Sequence, residues 1–289
     1  MQVLVSGSSG LVGSALVTAI EGAGHSVVRL VRRTPAANEI RLDPAKSLPE
    51  GFDAVVHLAG ESIAGRWTAA KKAAIRDSRV QGTSTLATAL ELTGRPPKVM
   101  VCASAIGIYG DRGDEVLREE SAPGSDFLSG VSQQWEAATE PATRAGIRVV
   151  SLRIGVVLSP RGGALGRMLT PFRMGAGGRI GSGNQWMSWI TLDDIVGAIL
   201  HALATESLRG PVNTVAPNPV SNARFTRTLG QVLHRPTIFP LPAFMVRLMF
   251  GEMGEALLLG SQRVDSGKLV ASGFRFRHSE LKPALEAIL

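Results

Sequence analysis

The chain has 289 residues, 44% of them hydrophobic, which is enough for one large domain or a nucleotide-binding domain with a smaller appendage, and its composition excludes a disordered protein. A net charge of +7 and a pI of about 10.3 invite an anionic partner. Yet Arg32, Arg33, Arg66, Arg79, Arg161 and Arg179 are scattered, without a basic block or interleaved aromatics, which favours a small anionic ligand over nucleic acid.

The N-terminus opens on a short buried strand, Val3, Leu4 and Val5, that turns straight into a helix through Gly7, Ser8, Ser9, Gly10, Leu11, Val12 and Gly13. Gly7 lets the backbone reverse, Gly10 removes a Cβ where a pyrophosphate approaches, and Gly13 lets the helix lie close. The free amides of the helix start then face the anion. Glycine turns alone are common; here Leu11, Val12, Leu16 and Ile20 follow at helical spacing, and Gly22 and Gly24 end the helix before a second apolar run.

That run, residues 26–31, predicts a second strand with Arg32 and Arg33 at its carboxyl end. A site for NAD commonly carries Asp or Glu there, whereas a 2′-phosphate favours arginine, so the pattern predicts NADP(H) over NAD(H). The alternative is a pair of solvated arginines. Residues 40–42 suggest a short strand before a turn at Asp43 and Pro44, and residues 54–60 a buried strand ending in Ala59 and Gly60, small enough to meet a cofactor closely. His57, inside that strand, is expected to be a hydrogen-bonded core histidine.

The loop from Glu61 to Trp67 mixes charge, hydroxyl and indole; a helix to about Asp77 and a second over 78–92 follow, the second opened by Arg79. Gly94, Arg95, Pro96 and Pro97 break the pattern. The strand over 98–104 holds Cys102, the chain's one cysteine, which predicts a buried thiol and a reducing cytoplasm. It runs out into Ser104, Ala105, Ile106, Gly107, Ile108, Tyr109 and Gly110, hydroxyl-bearing and glycine-rich at the edge where ligands bind in such sheets.

A surface loop over 111–124, a helix over 126–145 and a strand over 147–153 come next. The glycine-rich, charge-poor stretch 161–183 suggests loops wrapping a cleft, or a flexible connection. Residues 186–191 predict a strand, Asp193 and Asp194 the caps of a helix, and the remainder from Pro217 several helices. The expected architecture is α/β: a Rossmann-type doubly wound parallel sheet over 1–157, with a returning segment near 185–215, and a smaller, mostly helical region on the substrate side over 158–289. No signal-peptide pattern opens the chain and no apolar run is long enough to span a bilayer, so a soluble cytoplasmic protein without membrane segments is expected.

Taken together, the glycine loop, His57-Leu58-Ala59-Gly60-Glu61-Ser62-Ile63, Arg66-Trp67, Ser78-Arg79, the Ser104 to Gly110 stretch, Trp135-Glu136, Gly181-Ser182-Gly183 with Gln185, and Gly260-Ser261-Gln262-Arg263-Val264 resemble the short-chain dehydrogenase/reductase superfamily. The resemblance is to its extended epimerase/dehydratase branch, and more narrowly to the "epimerase family protein" subfamily with a C-terminal domain of unknown function. It covers essentially the whole chain and implies NADP(H) held by Gly7, Ser9, Gly10, Leu11, Val12, Gly13, Arg32, Leu58, Ala59, Gly60, Arg79, Ser104 and the strand near Val156.

It also implies pairing of two copies through the long helices 78–92 and 126–145. The superfamily's catalytic Tyr-x-x-x-Lys does not carry over: with Glu136 as the acid that follows the motif, Leu128 stands where tyrosine would be and Ser132 where lysine would be. Leucine donates no proton and serine supplies no charge to make a phenol acidic. Ser104, Glu61 and Tyr109, the chain's only tyrosine, are the remaining candidates for substrate and proton handling, with a packing role as the other reading of Tyr109. An atypical NADP(H)-dependent oxidoreductase or epimerase-like protein is one expectation, a non-catalytic NADP(H)-binding regulator or sensor the other. The substrate or effector is a small molecule whose identity the residues leave open, and no metal-binding pattern stands out.

Overall fold

A computed structural model describes residues 1–43 and 46–289; the turn expected at Asp43 and Pro44 falls partly outside them. β1 (Gln2–Ser6) leads through the glycine loop into α1 (Leu11–Gly22), then β2 (Ser26–Val31), β3 (Glu39–Arg41) and β4 (Ala54–His57). The fully buried runs of β1 and β4 carry almost nothing but aliphatic residues, as a strand covered on both faces requires.

α2 (Ala69–Glu91) is one continuous helix, not the two expected. Nothing at the junction breaks it: the Ser78 hydroxyl donates back to the Ile75 carbonyl inside the helix. Its N-cap, Thr68, accepts from the Lys71 amide. β5 (Val99–Ala105) follows, then a single 3₁₀ turn at Ile106–Tyr109 and the short β6 (Val116–Leu117). The helix expected over 126–145 is divided into α3 (Phe127–Ala137) and α4 (Glu140–Arg144). Pro141 lacks the amide that would continue α3, and the Thr139 hydroxyl donates to the Glu136 carbonyl at the break.

β7 (Arg148–Ile154) and β8 (Val156–Leu158) are separated by Gly155, where a Cβ would lie 2.6 Å from the Ser188 carbonyl. α5 (Gly163–Arg173) occupies a stretch expected to be loop, because Leu165, Leu169 and Phe172 recur on one face and are buried. Its glycines weaken helix propensity, and tertiary burial overrides that. The strand expected over 186–191 splits at Ser188 into β9 (Trp186–Met187) and β10 (Trp189–Thr191).

α6 (Leu192–Ala204) is capped by Thr191, which accepts from the Asp194 amide. Asp194 is therefore not the cap; it is buried and accepts from the Thr191 hydroxyl and from the amides of Arg277 and His278, which ties the C-terminal segment to α6. At the other end Arg148 donates to the carbonyls of Ala202, Leu203 and Leu208.

β11 (Gly210–Thr214) rejoins the main sheet, β12 (Val220–Ser221) pairs with β9, and α7 (Asn222–Leu233), α8 (Ala243–Gly254), β13 (Arg263–Val264), α9 (Gly267–Ala271) and α10 (Leu281–Ile288) complete the chain. Among the described residues the main sheet has seven strands, all parallel, in the order β11-β7-β5-β4-β1-β2-β3. The order reverses beside β1, which opens a crevice at the carboxyl ends of β1 and β4. One face is buried under α1 and α6 through Val3, Val5, Val56 and Val101; the other is covered through Leu4, Val55, Met100, Leu86 and Leu90. A separate core joins α5, α7 and α10 around Trp189 and Phe225. No helix among the described residues is long and apolar enough to cross a membrane.

Candidate functional site

The glycine loop sits directly against the end of β4. Gly7 has φ +70°, and a Cβ there would lie 2.7 Å from the Leu58 carbonyl. A Cβ on Gly13 would fall 2.1 Å from the Gly7 carbonyl oxygen, so this glycine brings α1 against the turn rather than against the sheet. Gly10 is different: its amide donates to Gly7 O at 3.0 Å, and a Cβ would meet only that same oxygen, at 3.3 Å. Ser9 and Gly10 are exposed, and Leu11 and Val12 are half-buried as α1 begins. α1 has no side-chain N-cap and no acid in its first turn, so its leading amides point outward with no protein anion to satisfy them. A dinucleotide pyrophosphate fits such a cradle, because it brings the negative oxygens that these donors lack.

Around the cradle lie Leu58, Ala59 and Gly60. Arg79 reaches beneath Gly60, its guanidinium carbon 3.3 Å from where a Cβ would be, and donates to the carbonyls of Glu61 and Ile75. It also stacks over the Trp135 ring at 5.1 Å. Glu61 receives Lys71 at 2.6 Å, and that bond, with the Lys71 charge and those of Arg32 and Arg79, holds its carboxyl below the usual range. Ionised at neutral pH, Glu61 accepts protons poorly and has none to donate. Arg32 is exposed and makes no ion pair among the described residues, whereas Arg33 is engaged by Glu39 at 2.6 Å.

The two candidate hydroxyls do not open onto a cleft. Ser104 is buried and donates to Glu136 at 2.7 Å. Tyr109 is fully buried; its hydroxyl donates to Asn213 at 2.6 Å and accepts from Arg153 at 2.9 Å. Burial raises its pKa, with Arg153 opposing. This burial and these two partners fit the packing role expected as the other reading of Tyr109. Val156 packs with Leu158 and Trp189 where the sheet gives way to the second core. Leu128 lies against Gly107, 3.4 Å from where a Cβ would stand. Trp67 and Phe127 meet edge to face, with Lys72 over the Phe127 ring.

The linkage through Glu136 and Arg153 escaped sequence reasoning. One signal was there: Arg153 near the end of a buried strand needs a counter-charge. His57 is buried as expected, its Nδ1 2.6 Å from the Ser6 hydroxyl, and burial pushes its pKa down to about 4. Cys102 is buried, its thiol pushed up to about 12.

Residues 3–214 match the NAD dependent epimerase/dehydratase family, and residues 241–288 a domain of unknown function, DUF1731. The chain belongs to this epimerase/dehydratase family. An epimerase family protein of Mycobacterium tuberculosis is 44% identical over 290 residues, covering 98% of this chain and 96% of that protein. The crystal structure of human epimerase family protein SDR39U1 with NADPH superposes with a TM-score of 0.94 at 37% identity, over 100% of this chain and 99% of that one. UDP-glucuronic acid 4-epimerase from Bacillus cereus shares the fold, with a TM-score of 0.79 at 18% identity, over 100% and 98% of the two chains.

Proposed function

We propose that this family member binds NADP(H) across the carboxyl ends of β1 and β4 and acts on a small molecule as an atypical oxidoreductase or epimerase-like protein. The observation that carries the proposal is the uncapped, acid-free start of α1 behind Gly7 and Gly10, with unpaired Arg32 at the end of β2. NADPH in the human relative's structure supports the same choice of cofactor. Leu11 and Val12 would hold the pyrophosphate by backbone amides, with Gly10 leaving room for it to approach. Arg32 would take the 2′-phosphate, and Leu58, Ala59 and Gly60 would border the adenosine side over Arg79. When bound, the nicotinamide supplies a hydride donor or acceptor.

The protein's own contribution to proton transfer differs from that of the superfamily. With Leu128 and Ser132 at the motif positions and Tyr109 sealed, no side chain reproduces a phenol activated by an ammonium. The same observation favours a second reading, in which the cofactor is bound and sensed without turnover.

Calorimetric titration with NADPH and NADH, followed by assays of NADPH consumption on a panel of carbonyl compounds and of sugar products from nucleotide sugars, tests both. Tighter NADPH binding with turnover supports the enzyme, and tight binding without turnover supports the sensor. Preference for NADH, or no binding of either, overturns the cofactor assignment.

A further inference from the structure

α8 is an unusual helix. Its apolar residues Phe244, Met245, Leu248 and Met249 recur at the i, i+1, i+4, i+5 spacing of a single face. That face points into solvent: Leu248 is 84% exposed and Phe244 67%. Before the bend at Gly251 (φ +57°), the helix buries only Val246. The loop leading into it adds Ile238 and Phe239, 72% and 60% exposed, and Met174 at the end of α5 is 72% exposed. Scattered surface apolar residues are ordinary, but a run along one helix and its approach is not. The helix is nonetheless anchored, by buried Val246 and by Lys72 of α2 on Glu252 at 2.5 Å in its last turn.

The charge around this face is mainly positive: the two acids at the end of the helix, Glu252 and Glu255, are paired with Lys72 and Arg247. Residues 207–251 contain no Asp or Glu, and neither do residues 141–192. Arg173, Arg179 and Arg235 lie on the segments that border the loop: the Leu241 amide donates to the Arg179 carbonyl, and Gly175 touches Pro236. All three are exposed. Arg179 and Arg235 donate only to backbone carbonyls, and none of the three forms an ion pair among the described residues.

We propose that α8 and its approach dock this protein on an anionic lipid surface, the apolar face entering the boundary between headgroups and acyl chains while the three arginines meet lipid phosphates. An interfacial helix needs this pairing of an apolar face with flanking cations, and it does not need the length of a transmembrane span. A second copy of the chain is the poorer occupant. A two-fold contact through the same face would bring two sets of three arginines together, while the nearby acids, Glu252 and Glu255, are already held by Lys72 and Arg247.

The test is flotation of the full chain with vesicles of phosphatidylcholine alone and of phosphatidylcholine and phosphatidylglycerol in equal parts. Binding is expected on the mixed vesicles and little on the neutral ones, with about a fivefold loss for each of Arg173→Gln, Arg179→Gln and Arg235→Gln. Leu248→Asp combined with Phe244→Ser should weaken binding by at least about tenfold and leave the melting temperature unchanged, since both positions are exposed. Equal binding to both vesicles, or binding that survives the double variant, overturns the proposal. So does failure to bind anionic vesicles, whether the chain is then monomeric or a dimer that Leu248→Asp dissociates, as read by light scattering.

Discussion

Arg153 closes on Glu136 with two parallel hydrogen bonds, Nε to Oε1 at 2.8 Å and Nη2 to Oε2 at 2.9 Å, and extends its third nitrogen to the hydroxyl of Tyr109. The pair is nearly buried, at 8% and 17% side-chain exposure. It locks the carboxyl ends of β5 and β7 to α3, and it consumes the hydroxyls of Ser104 and Tyr109. Burial works against the Arg153 charge, and Glu136 more than compensates, holding its pKa above the ordinary value.

Removing one partner leaves a buried charge alone, so Glu136→Gln should cost about 3 kcal/mol of stability in urea denaturation. Ser104→Ala should cost about 1 to 2 kcal/mol. Neither should alter the preference between NADPH and NADH. If Ser104→Ala abolished turnover with its melting temperature intact, Ser104 would touch substrate after all.

The glycines of the first turn should separate folding from binding. Gly13→Ala drives a methyl into the Gly7 carbonyl and is expected to destabilise the fold by about 2 kcal/mol, read as a lowered melting temperature. Gly10→Ala meets only one atom, at 3.3 Å, and should fold normally while losing at least about tenfold in NADPH affinity by calorimetry.

Arg32 and Arg33 are adjacent in sequence and unequal in the structure. Arg32→Asp should weaken NADPH at least about tenfold and leave NADH unchanged or improved, by direct titration. Arg33→Ala should change either affinity by less than about twofold, since Arg33 is already committed to Glu39.

His57 makes stability depend on pH. Its folded pKa, about 4, lies below the unpartnered value of 6.5, so between these limits the unfolded chain binds more protons. Stability is complete above about pH 6.5 and falls as the pH drops toward 4, by roughly 3 kcal/mol. Denaturation of His57→Gln across this window should show a shallower slope than the parent; an identical slope would assign the acid sensitivity to other groups.

The parallel sheet was legible in the sequence because its strands are short apolar runs that only burial on both faces rationalises, and because the glycine loop punctuates the first of them. The strand before Leu58, Ala59 and Gly60 was legible for the same reason, though it ends at His57, before these three residues. α5 was not, since its glycines mask an apolar face that forms only once α7 and α10 are there to bury it. The break in β9–β10 likewise falls at Ser188, whose hydroxyl donates to the Gln262 carbonyl 74 residues away, a partner that composition does not announce.

Local pattern and periodicity thus determined by themselves the strands β1, β2, β4, β5 and β7 of the main sheet and the glycine turn between β1 and α1. Tertiary structure alone decided which charges and hydroxyls meet: Arg153 with Glu136 across 17 residues, Tyr109 with Asn213 across 104, and Asp194 with the amides of Arg277 and His278. The reason is range. Hydrophobic periodicity is a property of neighbours along the chain, whereas the partner of a buried polar group is chosen by the whole fold, under the penalty of leaving that group unpaired.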